Sequence, residues 1–444
     1  MKIIQLLTAV FLAFLTPLQA AGLNELSGGQ NCTDSRLIGE DSTAGTGLQE
    51  LAAGNSDIIS GSGSVFSSLK EKGLKLTFVF TGDAISSLSG GINRKTHALY
   101  RTDLKGTFDL ERLIGWNGAG LYFDIMGTEG GKPSLSSGAG QGISNIEAPD
   151  AWKIFEFYLT QSFLDDRLSL LLGTFDFNSE FDTRLSSAVF LNPSHGIGPD
   201  ISQSGKNGPS IFPTTSLALR ASYKSNGYSF KAAVFDGIPG NPENPTGTYI
   251  ILNKNDGVLL AVEADYISSG EALSEGYKKI SLGGWYYSSE FEDLTELSSG
   301  GKPIMRRNNF GLYIQGESFL FSEKNDPLQG LAGFMRFGIA ESNINKYSHY
   351  LGVGLNYTGL FSGRDSDILG FGIAAVKNSS KFMNKMARQG FDIADFEVDF
   401  ELTYQMHIFN MFLIQPDIQY VADPVFAPDK SFSFNAGIRF QLSI

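Results

Sequence analysis

Residues 396–405 read FEVDFELTYQ, in which Phe396, Val398, Phe400, Leu402 and Tyr404 alternate with Glu397, Asp399, Glu401, Thr403 and Gln405. Successive side chains of a β-strand point to opposite faces, so a period of two writes two environments into one segment. One face here is greasy and the other carries carboxylates. A soluble sandwich also makes such strands, with its apolar face in a core and its charged face in water, so the segment decides the fold only together with its neighbours.

Those neighbours repeat the pattern from Gly73 to the last residue. Alternation predicts strands at 74–81, 97–108, 118–127, 153–163, 167–176, 215–224, 227–236, 257–267, 279–288, 309–321, 329–340, 348–359, 367–377, 395–406, 411–421 and 431–443. Each is near the length of a tilted strand crossing a bilayer. Short connections such as FLDDR (163–167), KSNG (224–227) and HIFN (407–410) are followed by long ones at 177–214, 237–256 and 378–394. Tight turns on one side and long loops on the other are the rhythm of an even-stranded antiparallel barrel, which a sandwich has no reason to keep. The terminal SFSFNAGIRFQLSI (431–444) puts Phe432, Phe434, Ala436, Ile438, Phe440, Leu442 and Ile444 on one face and Arg439 among polar residues on the other. The expected fold is all-β, a 16-stranded antiparallel transmembrane β-barrel of the outer-membrane porin kind. Its apolar exterior would meet lipid, and Glu397, Asp399 and Glu401 would look into a watery lumen.

The chain begins MKIIQLLTAVFLAFLTPLQA, with a basic start, an apolar stretch too short to span a bilayer, a proline and a small residue at position 20. Residues 1–20 read as a cleaved export signal, and 21–72 as a Gly/Ser-rich periplasmic extension. The one cysteine, Cys32, cannot form an internal disulfide, so stability comes from size or from lipid. A net charge of −13 argues against nucleic acid as a partner. The acidic total is expected to reside in external loops and turns such as FSEKNDP (321–327) and FSGRDSD (361–367), near lipopolysaccharide.

The stretches LLGTFDFNSEF (171–181), FLNPSHGIGPDI (190–201), YSFKAAVFDGIPGNP (228–242), LAVEADY (260–266) and FLIQPDIQYVADP (412–424) resemble the carbohydrate-selective porins of the OprB family. The resemblance runs from about Gly73 to the end. It implies a sixteen-stranded outer-membrane channel that passes sugars by facilitated diffusion.

Parity assigns a mixed-sign lumen: Lys75, Arg101, Asp103, Lys105, Asp124, Glu156, Arg220, Lys231, Glu263, Asp265, Glu317, Arg336, Glu397, Glu401, Asp417, Gln419 and Arg439, with the aromatics Tyr122, Tyr158, Trp285, Tyr287 and Tyr313. An Arg or Lys facing lipid at the midplane costs about 2–4 kcal/mol, so their inward placement itself supports the barrel. Carboxylates, guanidiniums and amides replace the water bonds of a sugar's hydroxyls, and aromatic faces meet its apolar side. Release requires that such binding stay weak. The constriction is expected on the loop at 177–214, with Glu180, Asp182, Arg184, His195, Asp200 and Lys206 as its polar candidates. A mixture of signs suits neutral solutes. The bland reading of any one of these charges is a solvated wall network.

Enzyme chemistry finds no foothold in the sequence. His97, His195, His349 and His407 lack metal-like spacing, the GGKP runs at 130–133 and 300–303 lack the rest of a phosphate loop and read as turns, and no G-x-S-x-G elbow occurs. No cofactor or metal is expected. The partners are transported sugars and outer-membrane lipid, in a monomer or homotrimer. A broad-specificity porin is the alternative, and a plugged barrel acting as enzyme or adhesin is a more distant one.

Overall fold

The computed structural model describes residues 69, 71–268, 272–324, 326–409 and 411–444. The readings made for 1–20, for Cys32 and for most of 21–72 lie outside the described residues. The barrel strands are β1 (Leu74–Gly90), β2 (Thr96–Asp109), β3 (Ala119–Gly130), β4 (Ala151–Phe163), β5 (Leu168–Phe175), β6 (Ser216–Ser225), β7 (Tyr228–Asp236), β8 (Val258–Ile267) and β9 (Lys278–Tyr287). They continue, after a small ribbon, with β12 (Asn309–Glu323), β13 (Asp326–Ala340), β14 (Tyr347–Thr358), β15 (Ile368–Asn378), β16 (Phe396–Phe409), β17 (Phe412–Ala422) and β18 (Phe432–Ser443). Each pairs antiparallel with its neighbour, and β1 closes on β18 through pairs such as Thr81↔Gln441 and Asp83↔Arg439. Closure leaves no unpaired edge in the wall, which is what lets a sheet live in hydrocarbon.

All sixteen expected strands are present. Parity sorts as the opening segment demands: Phe396, Phe400 and Leu402 are 37–47% exposed on the outer surface, whereas Glu397, Asp399 and Glu401 are 0% exposed. Three features were not expected. β1 runs on through Gly82–Gly90, a Gly/Ser-rich stretch of low strand propensity that β18 pairs throughout and β2 pairs as far as Ser86. The connection from β9 to β12 contains a separate ribbon of β10 (Phe291–Leu297) and β11 (Pro303–Arg306). A helix, Ser380–Arg388, occupies the connection after β15, capped by Ser379 Oγ accepting from Phe382 N at 3.2 Å.

Strand alternation puts 91–95, 131–150, 176–215, 237–257, 288–308, 341–346, 379–395 and 423–431 at one end. The other end carries the tight turns, the start of β1 and the end of β18. By the porin rule the tight-turn end is periplasmic. FSEKNDP and FSGRDSD join β12 to β13 and β14 to β15, so they sit at that end and not among the external loops where their charge had placed them.

Candidate functional site

A loop that enters a barrel brings backbone N–H and C=O groups out of water, and each needs a partner. Two connections do so here, 176–215 after β5 and 131–150 after β3. Only the first was anticipated. The wall supplies their acceptors. Glu317 accepts from Ser186 N and Oγ, both at 2.8 Å, and from the Tyr277 hydroxyl at 2.9 Å. Glu401 accepts from Leu191 N at 2.5 Å and Asn192 N at 3.0 Å. Tyr350 donates to Ser194 O at 2.7 Å. The centre of the clasp is Arg336 on β13, which donates to Asp182 at 2.9 Å and to Asp200, with its guanidinium 5.1 and 5.3 Å from the ring centres of Tyr313 and Tyr350. Arg184 closes the loop on itself through Asp182 at 2.7 Å and the carbonyls of His195 and Gly196 at 2.8 and 3.0 Å.

The same device holds 131–150 against the adjoining wall, β16–β18. Glu397 accepts from Gly140 N and Gln141 N at 2.8 Å and from Val425 N at 2.7 Å. Gln419 donates to Ile143 O at 2.9 Å. Arg439 is bidentate to Asp83 at 2.7 and 2.8 Å and reaches Asn145 at 2.7 Å. His195 packs beneath Phe190 and Phe334, at 4.5 and 5.7 Å between ring centres. Burial and the Arg184 cation push its pKa down to about 3, so it stays neutral. Only glycine fits opposite it at 372, where a β-carbon would lie 2.7 Å from His195 Nε2.

What the loops leave open is a cavity of about 760 Å³, within the range of about 300–1,000 Å³ common for small-molecule sites. Loop residues such as Gly140, Ser144, Asn178 and Ser187 form one side, and inward residues of β1–β4 and β18 form the other. The open wall is ordered by register. Descending β2 from the long-loop end come Arg101, Asp103 and Lys105. Lys105 pairs across with Asp124, and Asp124 with Glu156, making one row over three strands. Two residues further down, Tyr122 pairs with Tyr158, and their rings stack at 4.9 Å and 24°. Arg101 is spoken for: it grips Asp103 at 2.7–2.9 Å, stands 3.8 Å from Asp124, and covers the rings of Phe212 and Phe155 at 4.7 and 5.3 Å. Glu156 accepts from Asp176 N at 2.9 Å. Burial raises the pKa of Asp176 to about 6, against the bonds from Asn178 N and Phe212 N and the charges of Arg101 and Lys105.

The structure therefore divides the residues singled out from sequence. Arg101, Asp103, Lys105, Glu156, Arg184 and Arg439 border the cavity, joined by Tyr122, Tyr158, Asp124 and Asp176. Glu317, Arg336, Glu397 and Glu401 face inward but do not meet a watery lumen, because their polar atoms are used by loop backbone or loop carboxylates. Asp182 and Asp200 are the loop-side partners of Arg336. Glu180 is held by Arg220 at 2.5 Å, and Lys231 by Glu263 and Asp265 at 2.6 and 3.1 Å. Asp417 accepts from Gln419 at 2.9 Å, under the loops. Trp285 packs in an apolar cluster with Phe177, Phe181, Ile201 and Tyr287 beneath 176–215, away from the cavity. Lys206 lies 5.7 Å from the Phe291 ring centre. Asp176 was missed because, counted along the expected strand 167–176, it shares the outward parity of Leu172; the observed strand ends at Phe175 and the chain turns there. Among the described residues no group of three or more His, Cys, Asp or Glu is placed to hold a metal.

A closed sixteen-stranded antiparallel barrel with loops folded inside it around a polar cavity defines an outer-membrane porin, a channel-forming protein. The family described as Carbohydrate-selective porin, OprB family, matches residues 94–442, and the chain belongs to that family. Porin B of Pseudomonas aeruginosa is 25% identical over 417 residues, covering 84% of this chain and 88% of its own. Putative porin QuiX of Acinetobacter baylyi is 20% identical over 409 residues, covering 84% and 90%. Among solved structures, the high pH structure of Pseudomonas putida OprB matches the fold with a TM-score of 0.75 at 20% identity, over 86% of this chain and 97% of that one. The low pH structure matches with a TM-score of 0.57 at 18% identity, over 88% and 99%.

Proposed function

We propose that the protein carries carbohydrates, monosaccharides such as glucose and small oligosaccharides, across the outer membrane by facilitated diffusion, and that the open wall of β2–β4 is where they are handled. The observation that carries this is the vertical order of that wall. A row of hydrogen-bonding groups, Lys105, Asp124 and Glu156, lies directly above the stacked faces of Tyr122 and Tyr158. A pyranose has hydroxyls around its rim and C–H groups on its faces, so the row serves the rim and the rings serve a face. Contacts are spread over many groups instead of one tight clasp, which suits a site that must also release.

Residues 1–20 act on this reading as a removable export signal. The test of the transport role is osmotic swelling of liposomes carrying the mature protein. Glucose should enter faster than a neutral zwitterionic amino acid of similar size; equal rates would leave a broad-specificity porin.

A further inference from the structure

The open wall is more acidic than the lumen as a whole. Arg184 and Arg439, which also border the cavity, are consumed by Asp182 and Asp83. What remains along β2–β4 and the corner of 176–215 is Arg101 and Lys105 against Asp103, Asp124, Glu156 and Asp176, two cations for four carboxylates. Arg101 is committed to Asp103 by three hydrogen bonds. Asp124 and Glu156 stand directly opposite each other on neighbouring strands, an arrangement of like charges that destabilises a sheet. Asp124 is 1% exposed and its Oδ1 has no hydrogen-bond partner among the described residues. A buried carboxylate oxygen left unpartnered costs free energy, and here it borders the cavity through which solutes move.

We propose that the Asp124–Glu156–Asp176 carboxylates form a subsite for the ammonium group of a protonated amino sugar, so that the channel prefers cationic aminohexoses over neutral hexoses of the same size. This rests on the sugar-channel reading above. An ammonium carries three donors and no acceptor, and supplies the donor that Asp124 Oδ1 lacks. The carboxylate row and the tyrosine pair are separated by two residues along the strand, about 7 Å, on the order of the width of one pyranose with its substituents. A single sugar therefore sets a ring face on Tyr122 and Tyr158 while its amine reaches the row. Lys105 beside Asp124 opposes the cation, which keeps the attraction weak enough for passage.

The test is block of single-channel current by D-glucosamine, D-glucose and N-acetyl-D-glucosamine, with the full-length mature protein in planar bilayers at pH 7 and about 0.1 M salt, where screening is modest. Glucosamine should block at about one tenth of the glucose concentration, an effect of the size expected for one partly hydrated charge pair. N-acetylglucosamine, which keeps the ring and loses the charge, should lose that advantage. Asp124→Asn combined with Glu156→Gln should collapse the glucosamine-to-glucose ratio towards one. Lys105→Met should raise it, which keeps the test open if the double variant fails to fold. Equal block by glucosamine and glucose in the unaltered protein, or a ratio indifferent to both variants, overturns the amino-sugar subsite and leaves the sugar channel standing. A current untouched by any of the three sugars removes the sugar channel itself, and the subsite with it.

Discussion

Glu401 on β16 and Glu156 on β4 are both inward carboxylates in the middle of their strands, yet they do different work. Glu401 is 0% exposed and spends its oxygens on the backbone of Leu191 and Asn192. Glu156 takes one loop N–H and still borders the cavity. The same contrast separates whole regions: β12–β17 are a wall that anchors loops, and β2–β4 are a wall that borders the cavity. Parity decides which side of the barrel a residue occupies, and the path of 131–150 and 176–215 decides whether it meets a loop or open space.

The strongest way to break this contrast is at Arg336. Its guanidinium is fully buried between two carboxylates and two tyrosines. Removing one member of such a network leaves the others charged and unpaired, at a cost of about 3–5 kcal/mol. Arg336→Ala should therefore free 176–215 from the wall, raise single-channel conductance several-fold and lower the urea midpoint of unfolding. Arg336→Lys keeps the charge but not the fork, and should fall between. Conductance unchanged in a folded Arg336→Ala channel would mean that the clasp does not set the bore.

A smaller effect is expected on the solute-facing wall. Tyr122→Ala removes one member of the stacked pair and no loop contact. With aromatic contacts worth about 0.5–1.5 kcal/mol beyond area burial, block of ion current by glucose should weaken by about threefold to tenfold, and because Tyr122 is only 4% exposed stability should fall as well. A variant that loses stability but not block would move Tyr122 from the transport path into the structural wall.

The strands were legible because each carries its own two-faced pattern, and lipid tolerates no exception at mid-membrane. The extension of β1 was hidden because the only large apolar residues of Gly82–Gly90, Ile85 and Leu88, fall on opposite faces and mark neither, and its pairing is dictated from β18 and β2. Charge on the inner face was also legible, down to Arg101, Lys105 and Glu156. What parity could not convey was occupancy. The carboxylates of FEVDFELTYQ look like a hydrated lining, and nothing local announces that Gly140, Gln141, Leu191 and Asn192, hundreds of residues away in the chain, will cover them. Trp285 was misread for the same reason, since an inward aromatic serves a solute or the underside of a loop with equal ease. The loop at 131–150 is long enough to notice, but apart from Lys132, Glu147 and Asp150 its sequence offers mainly small and amide groups, because the wall brings the charge.

The finest distinction between the two regions is their response to pH. Within 176–215, His195 lies under the anchored half, and burial with Arg184 pushes it to about 3. It carries no charge anywhere between pH 4.5 and 8. Asp176 stands at the open wall at about 6, facing Arg101 and Lys105 of β2 and Glu156 of β4. Above that value it is an anion, and below it the proton cancels one negative charge of the cavity. Potassium-over-chloride preference, read from reversal potentials, should therefore step down as pH falls through about 6. Asp176→Asn should shrink that step, and His195→Asn should leave its position in place. If the step survived in Asp176→Asn and vanished in His195→Asn, the acidic corner would have no share in the pH response, and the histidine beneath the clasp would have to be charged and in contact with the channel.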